Sequence, residues 1–111
     1  MERKIDILQG TLDLMVLQAL ASMGPQHGYA IAARLEQIAD GSIHLNMGTL
    51  YPALVRLEHR GFIRGKWAKT ENNRRARFYE ITPSGRKHLG AERANWRHMA
   101  AIMAKMLGDA T

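Results

Sequence analysis

No cysteine occurs anywhere in the chain, so disulfides, thiolate zinc sites and thiol nucleophiles are excluded. Long apolar runs are missing too, and nothing approaches the roughly 20 residues that a transmembrane helix needs. The opening MERKIDILQG is charged and then amphipathic, without the apolar core or small-residue cleavage site of a secretory signal. A cytoplasmic protein with no membrane partner is therefore expected. Catalytic signatures are absent as well: there is no G-x-S-x-G, no P-loop and no Rossmann glycine pattern. His27, His44, His59, His88 and His98 are scattered without paired metal spacing and read as surface residues. Asp13 and Glu58 stand as isolated carboxylates, suited to solvation or a structural ion pair. Neither an enzyme nor a bound metal or cofactor is expected. Acidic residues are also short. Ten Asp and Glu against 16 Lys and Arg leave a net charge of +6, which suits a polyanionic partner without identifying it.

What is present fits a folded chain. Hydrophobic residues make up 46% of 111, enough for one domain with a modest core. The chain is organised around Asn46 to Gly61, where Leu50, Ala53, Leu54 and Leu57 fall on one face of an amphipathic helix. Asn46 suits the N-cap and Gly61 the C′ position. Thr49, Pro52, Arg56 and His59 lie on the other side, with Tyr51 at the flank. Pro52 conflicts with a simple helix, because it removes a donor and crowds the preceding turn. Either the helix starts nearer Thr49 or its first turn is distorted. Taken alone, the stretch fits a core helix with an awkward proline as well as a helix pressed against a grooved partner.

Before it, Leu8, Leu12, Met15, Val16, Ala19 and Leu20 repeat at helical spacing from about Asp6 to Met23, with Gln9 and Gln18 facing solvent and Gly24-Pro25 as the stop. A turn at Gly24-Pro25-Gln26 leads into a second helix from His27 to Asp40, whose buried stripe is Ile31, Leu35 and Ile38 with Ala32 beside it. Tyr29 lies in its first turn, as a packing aromatic or as a phenol reaching a phosphate. Ser42 to Leu45 alternates and reads as a very short strand. After Gly61 the period changes to two. Phe62–Trp67 and Arg77–Ile81 read as strands joined by a turn at Thr70–Asn73.

Three helices followed by a hairpin predict an α+β, mainly α, winged helix-turn-helix. The hairpin is basic, with Arg64, Lys66, Lys69, Arg74, Arg75 and Arg77 against Glu71 alone. That run, next to a helix with a small and basic outward face, points to nucleic acid. A last helix opens at Thr82-Pro83 and runs to Leu107, with Gly108 as its stop. Leu89, Trp96, Met99, Met103 and Met106 form a seam along it, interrupted at Glu92 and widened by Ala100, Ile102 and Leu107. Folding back along the first helix would cover it; a homodimer seam is favoured. The expected division is residues 1–82 as the DNA-binding domain and 83–108 as the dimerisation helix.

LQGTLDLMVLQAL, GPQHGYAIAARLE, GTLYPALVRLEHRGFI and RRARFYEITPSGR, in that order and spacing, resemble the PadR (phenolic acid decarboxylase regulator) family over essentially the whole chain. The resemblance implies a winged-helix transcriptional regulator, usually a repressor, dimeric through its terminal helices. It carries DNA contact onto Gly48, Thr49, Tyr51 and Pro52, and phosphate contact onto Tyr29 and the wing around Arg74 and Arg75. Arg56, Lys69 and Asn73 complete the expected DNA surface, and the dimer implies an inverted-repeat operator in double-stranded DNA. In some members of the family an aromatic at the position of Trp96 lines a pocket between subunits for flat hydrophobic effectors. Trp96 with Met99 beside it is thus either an effector site or dimer core. Met47 before the glycine and Asn72-Asn73 at the wing tip depart from the family pattern, and the short C-terminus resembles its minimal branch. The alternative is a winged-helix protein-interaction or RNA-binding adaptor that reads no operator.

Overall fold

The computed structural model describes residues 9–108. The expected helix start at Asp6, and the side chains of Leu8 and Gln9, lie outside the described residues. The elements are α1 (Gln9–Met23), β1 (Gln26–His27), α2 (Gly28–Ile38), α3 (Met47–His59), β2 (Ile63–Lys69), β3 (Arg75–Ile81) and α4 (Pro83–Met106). The strands form one antiparallel sheet in the order β1-β3-β2. This is the mainly helical winged helix-turn-helix expected from the sequence.

Helix α1 is the spine. Leu12, Val16, Leu17, Ala19 and Leu20 are all buried, because α2, α3, β3 and α4 all pack against it. From α3, Leu50, Ala53, Leu54 and Leu57 enter the same core, joined by Ile31, Leu35, Ile63 and Tyr79. Each fully buried Leu or Ile contributes about 1.5–3 kcal/mol relative to exposure, so the apolar face of α3 fixes its opposite face outward. Asn46 caps α3 through Oδ1, which accepts from the Thr49 amide at 2.9 Å. The helix nevertheless starts at Met47 and carries Pro52 inside it, so the proline does not move the start to Thr49. The amide it lacks would bond to the Gly48 carbonyl. Both residues are exposed, which leaves that carbonyl open to water.

Three expectations are corrected. The third strand is Gln26–His27, bonded to Phe78 and Tyr79, where the sequence reads as a turn. Ser42–Leu45 forms no strand: Ile43 and Leu45 plug the core from an extended loop, and the Leu45 amide donates to Glu36 Oε1 at 2.9 Å. Alternation there reports which side chains turn inward, not backbone pairing. Ile38 is 62% exposed rather than core, because the buried stripe of α2 ends one turn earlier, at Leu35. Two histidines are also not simple surface residues. His27 Nδ1 caps α2 by accepting from the Ala30 amide at 3.3 Å, and the His88 ring stacks on Phe62 with centroids 4.2 Å apart.

The junction of α4 with the body is closely packed. Gly61 ends the third helix in the left-handed region, at φ +79°. The Thr82 amide then donates to the Phe62 carbonyl at 3.0 Å. Thr82 Oγ1 donates to the Gly61 carbonyl at 2.7 Å and accepts from the Gly85 amide at 3.0 Å. Gly85 lies so close that a Cβ there would overlap the Phe62 carbonyl. Gly85→Ala should therefore lower stability by about 1–3 kcal/mol, as overpacking does. Gly90→Ala, with nothing near its Cβ, should raise stability by about 0.5–1 kcal/mol. Urea titration of the two variants checks the contrast.

Candidate nucleic-acid interface

The site grows out of α3. With Leu50, Ala53, Leu54 and Leu57 held inward, Gly48, Thr49, Tyr51, Pro52 and Val55 are left exposed on the outer face. The start of that face is small and polar, which lets a backbone approach another surface closely. Tyr29 stands in the first turn of α2, 73% exposed, so it is not a packing aromatic in this chain. Its helix N-terminus carries a partial positive charge.

The hairpin has its turn at Thr70–Arg74. The Thr70 amide donates to the Arg74 carbonyl at 2.7 Å, and the Asn73 amide donates to the Thr70 carbonyl at 2.9 Å. Asn73 adopts φ +60°, a conformation asparagine tolerates better than most residues. Lys69, Asn73, Arg74 and Arg75 all lie exposed at this end.

Ion pairs divide the basic residues into two sets. Arg64 Nε donates to Glu80 at 2.9 Å. Arg77 Nη2 donates to Glu58 Oε2 at 2.5 Å, and the same oxygen accepts from the Gly65 amide at 3.3 Å. The Arg77 side chain lies across Gly65, where a Cβ would displace it. Its hydrogen bond to Glu58 holds the Arg77 guanidinium above its already high ordinary value. Beside it, burial pushes the Tyr79 phenol up, against the pull of Arg77, so it stays neutral. Lys66, Lys69, Arg74 and Arg75 have no carboxylate partner among the described residues. The uncompensated charge of the hairpin is thus concentrated on its outer half.

Arg56 belongs with the compensated set, contrary to its expected place on the DNA surface. Its Nη2 donates to Asp13 Oδ1 at 2.8 Å and its Nε to Oδ2 at 3.4 Å, both groups being partly buried. A guanidinium held by an internal carboxylate points towards α1, not outward. Two residues are more important than the sequence suggests. Glu58 reads as isolated but anchors the hairpin to α3, and Trp67 lies exposed among the cations. The period-2 register of the hairpin, which puts Gly65 on the same face as Trp67 and its partner Arg77, is the signal for the first.

The stripe on α4 is also split. Leu89 is only 4% exposed and sits in the core cluster, because the first two turns of α4 pack on the body. It is therefore not available to a dimer seam. Trp96, Met99, Met103 and Met106 are exposed, with Ile102 and Leu107 alongside. Trp96 lines an apolar groove of about 500 Å³ between α1, α2 and α4, together with Leu14, Met15, Ile38 and Ile43. Met99 is not part of its wall. Arg93 on the rim donates to Gln18 Oε1 at 2.6 Å, tying α4 to α1.

A buried-backed helix with a small polar outer face, flanked by a cationic hairpin, defines a winged helix-turn-helix DNA-binding module. The sequence model of the transcriptional regulator PadR-like family matches residues 16–91, and the chain belongs to that family of DNA-binding transcription regulators. A transcriptional regulator from Clostridium thermocellum shares the fold at a TM-score of 0.78 and 29% identity, over 87% of this chain and 90% of that one. A PadR-family regulator from Eggerthella lenta gives 0.73 and 30%, over 89% and 83%. An uncharacterised 37.1 kDa protein of a Streptomyces fradiae transposon is 43% identical over 79 residues, which is 71% of this chain but 21% of that protein's length. No helix among the described residues is long and apolar enough to cross a membrane.

The Arg56 assignment has a direct check. Arg56→Ala should cost about 1–2 kcal/mol of stability, since it strands a partly buried carboxylate. It should leave the salt dependence of duplex binding unchanged, measured by fluorescence polarisation from low to moderate salt.

Proposed function

We propose that the chain is a homodimeric repressor that reads an inverted-repeat operator in double-stranded DNA and is released by a small hydrophobic or aromatic effector. The observation that carries this reading is the segregation of charge. Lys69, Arg74 and Arg75 gather at one end of the hairpin with no carboxylate partner among the described residues, and Gly48, Thr49, Tyr51 and Pro52 of α3 are exposed, while Arg56, Arg64 and Arg77 are neutralised locally. In this reading α3 enters the major groove and its first turns contact base edges. Tyr29, Lys69, Asn73, Arg74 and Arg75 contact phosphates and set the register.

Labour divides between residues 1–82, which bind DNA, and 83–108, which dimerise, with the start of α4 serving also as the joint. The exposed Trp96, Met99, Met103 and Met106 support the dimer. They form an apolar stripe longer than the body covers, and a two-fold pair of such stripes is the commonest way to bury one. The half-sites would then lie roughly 34–36 Å apart, one turn of B-DNA. Trp96 supports the effector reading, because its π-face borders the apolar groove and suits a flat compound. An effector acts by binding the non-DNA-binding arrangement better, by about 1.4 kcal/mol for each tenfold loss of affinity. The site of action would be the cytoplasm, where the operator is.

Gel-shift titration of the promoter upstream of the protein's own gene, against scrambled duplex and RNA, tests the reading. Thr49→Ala and Tyr51→Ala should remove the preference for the promoter and leave non-specific affinity nearly unchanged. Arg74→Ala and Arg75→Ala should weaken all duplexes alike, and flatten the salt slope by about one unit for each phosphate that is no longer neutralised. Equal affinity for scrambled duplex and RNA in the unaltered protein would contradict operator recognition.

Assembly has its own test. Met99→Asp with Met103→Asp places unpaired charges in an apolar seam and should give a monomer by sedimentation equilibrium. A variant that stays dimeric would put the interface elsewhere.

A further inference from the structure

The hairpin register places Ile63, Gly65, Trp67 and Lys69 on one face of the wing, opposite Ile81, Tyr79, Arg77 and Arg75 in turn. That face changes character outward. Its base, Ile63 and Tyr79, is buried in the core. Its middle is occupied by Arg77 reaching to Glu58. Opposite Arg77 the face presents Trp67, which is 55% exposed, with the Arg75 guanidinium 5.0 Å from its ring centroid. An exposed indole leaves a large apolar area in water, and a strand position gives it no second layer to pack under. Lys69 lies directly opposite Arg75, and like charges in that position destabilise a strand pair. Neither cation has a carboxylate partner among the described residues.

An apolar ring, a guanidinium braced on it and a facing ammonium share one surface, and one kind of occupant relieves both costs. A polyanion neutralises the Lys69–Arg75 pair, and a sugar or base edge covers the indole. Acidic protein would supply charge without the regularly spaced sugar faces of a duplex. Resting on the reading given under Proposed function, we propose that Trp67 is a DNA contact of the wing, its indole packing on the sugar–phosphate edge of the duplex while it braces Arg75 against the same edge. Trp67 thereby acts on two levels. It adds apolar contact area, and it restricts the rotamers of Arg75, so that less side-chain entropy is lost when the phosphate contact forms.

The test uses the unaltered full chain and a fluorescein-labelled mixed-sequence duplex of about 24 base pairs, a little over two helical turns. Polarisation reports binding, and the Trp67 contribution to emission, taken as the difference between the unaltered chain and Trp67→Leu, is followed on unlabelled duplex under the same conditions. Emission should change in step with binding. Trp67→Leu, which keeps apolar bulk but loses the ring, should weaken duplex binding about three- to tenfold, the range of a cation–π contact. Trp67→Phe should retain most of the affinity. Arg75→Ala added to Trp67→Leu should cost less than Arg75→Ala alone, since the brace is already gone. Thermal unfolding should not move, which separates contact from folding. Duplex binding with unchanged Trp67 emission overturns the inference and leaves the DNA-binding reading standing. So does Trp67→Leu binding as tightly as its parent, or additive effects in the double variant. Absence of duplex binding by the parent overturns both.

Discussion

The carboxylate of Glu58 joins the helix that faces outward to the hairpin beside it. Its Oε2 accepts from Arg77 of β3 and from the Gly65 amide of β2, so one side chain near the end of α3 holds both strands. Gly65 is small because Arg77 crosses it to reach that oxygen. The pair is partly exposed, and solvent screening keeps its contribution to stability small. Its importance is geometric. Orientation of the wing against α3 decides whether two elements can touch one rigid double helix together, and an ion pair with a shared backbone donor sets that angle better than apolar contact alone.

The same pairing decides where charge goes. Glu58, Glu80 and Asp13 each take up an arginine, and the remaining cations of the hairpin lie towards its tip. A formal charge of +6 spread evenly would steer weakly; unpaired cations gathered on one protruding element concentrate the field where a phosphate backbone would approach. At the other end of the hairpin, the Phe62 carbonyl, Thr82 and Gly85 lock α4 to the body. Phe62 itself is sandwiched into this joint, stacked on His88 and with Arg60 4.6 Å from its ring centroid. The exposed stripe of α4 therefore stands at a fixed angle to α3, which is what a dimer needs if its spacing is to match a helical repeat.

Much of this is legible in the residues. The four-residue apolar face of α3, the caps at Asn46 and Thr82 and the change of period after Gly61 all follow from local chemistry, and each appears where periodicity places it. The gaps have physical causes. Gln26–His27 is too short to show any period, and its pairing with β3 depends on tertiary approach. Ser42–Leu45 alternates because a loop plugs the core. Ile38 continues the spacing of its helix beyond the point where the body covers it. Arg56 and Leu89 depart from expectation for a shared reason: helical spacing says which face a residue is on, but not what stands opposite. Asp13 lies 43 positions from Arg56, and only the fold brings them together. Pro52 is tolerated because the carbonyl it strands faces water, a fact invisible without the orientation of the helix.

Selection from a randomised duplex pool tests most directly whether α3 and the wing read a DNA sequence as a two-fold pair. After several rounds of capture by the full chain at moderate salt, the retained duplexes should share an inverted repeat. Its half-site centres should lie about 10 base pairs apart, one turn of B-DNA. A pool that stays as random as its input, or that enriches only single half-sites, would contradict a dimer whose outward helices recognise an operator.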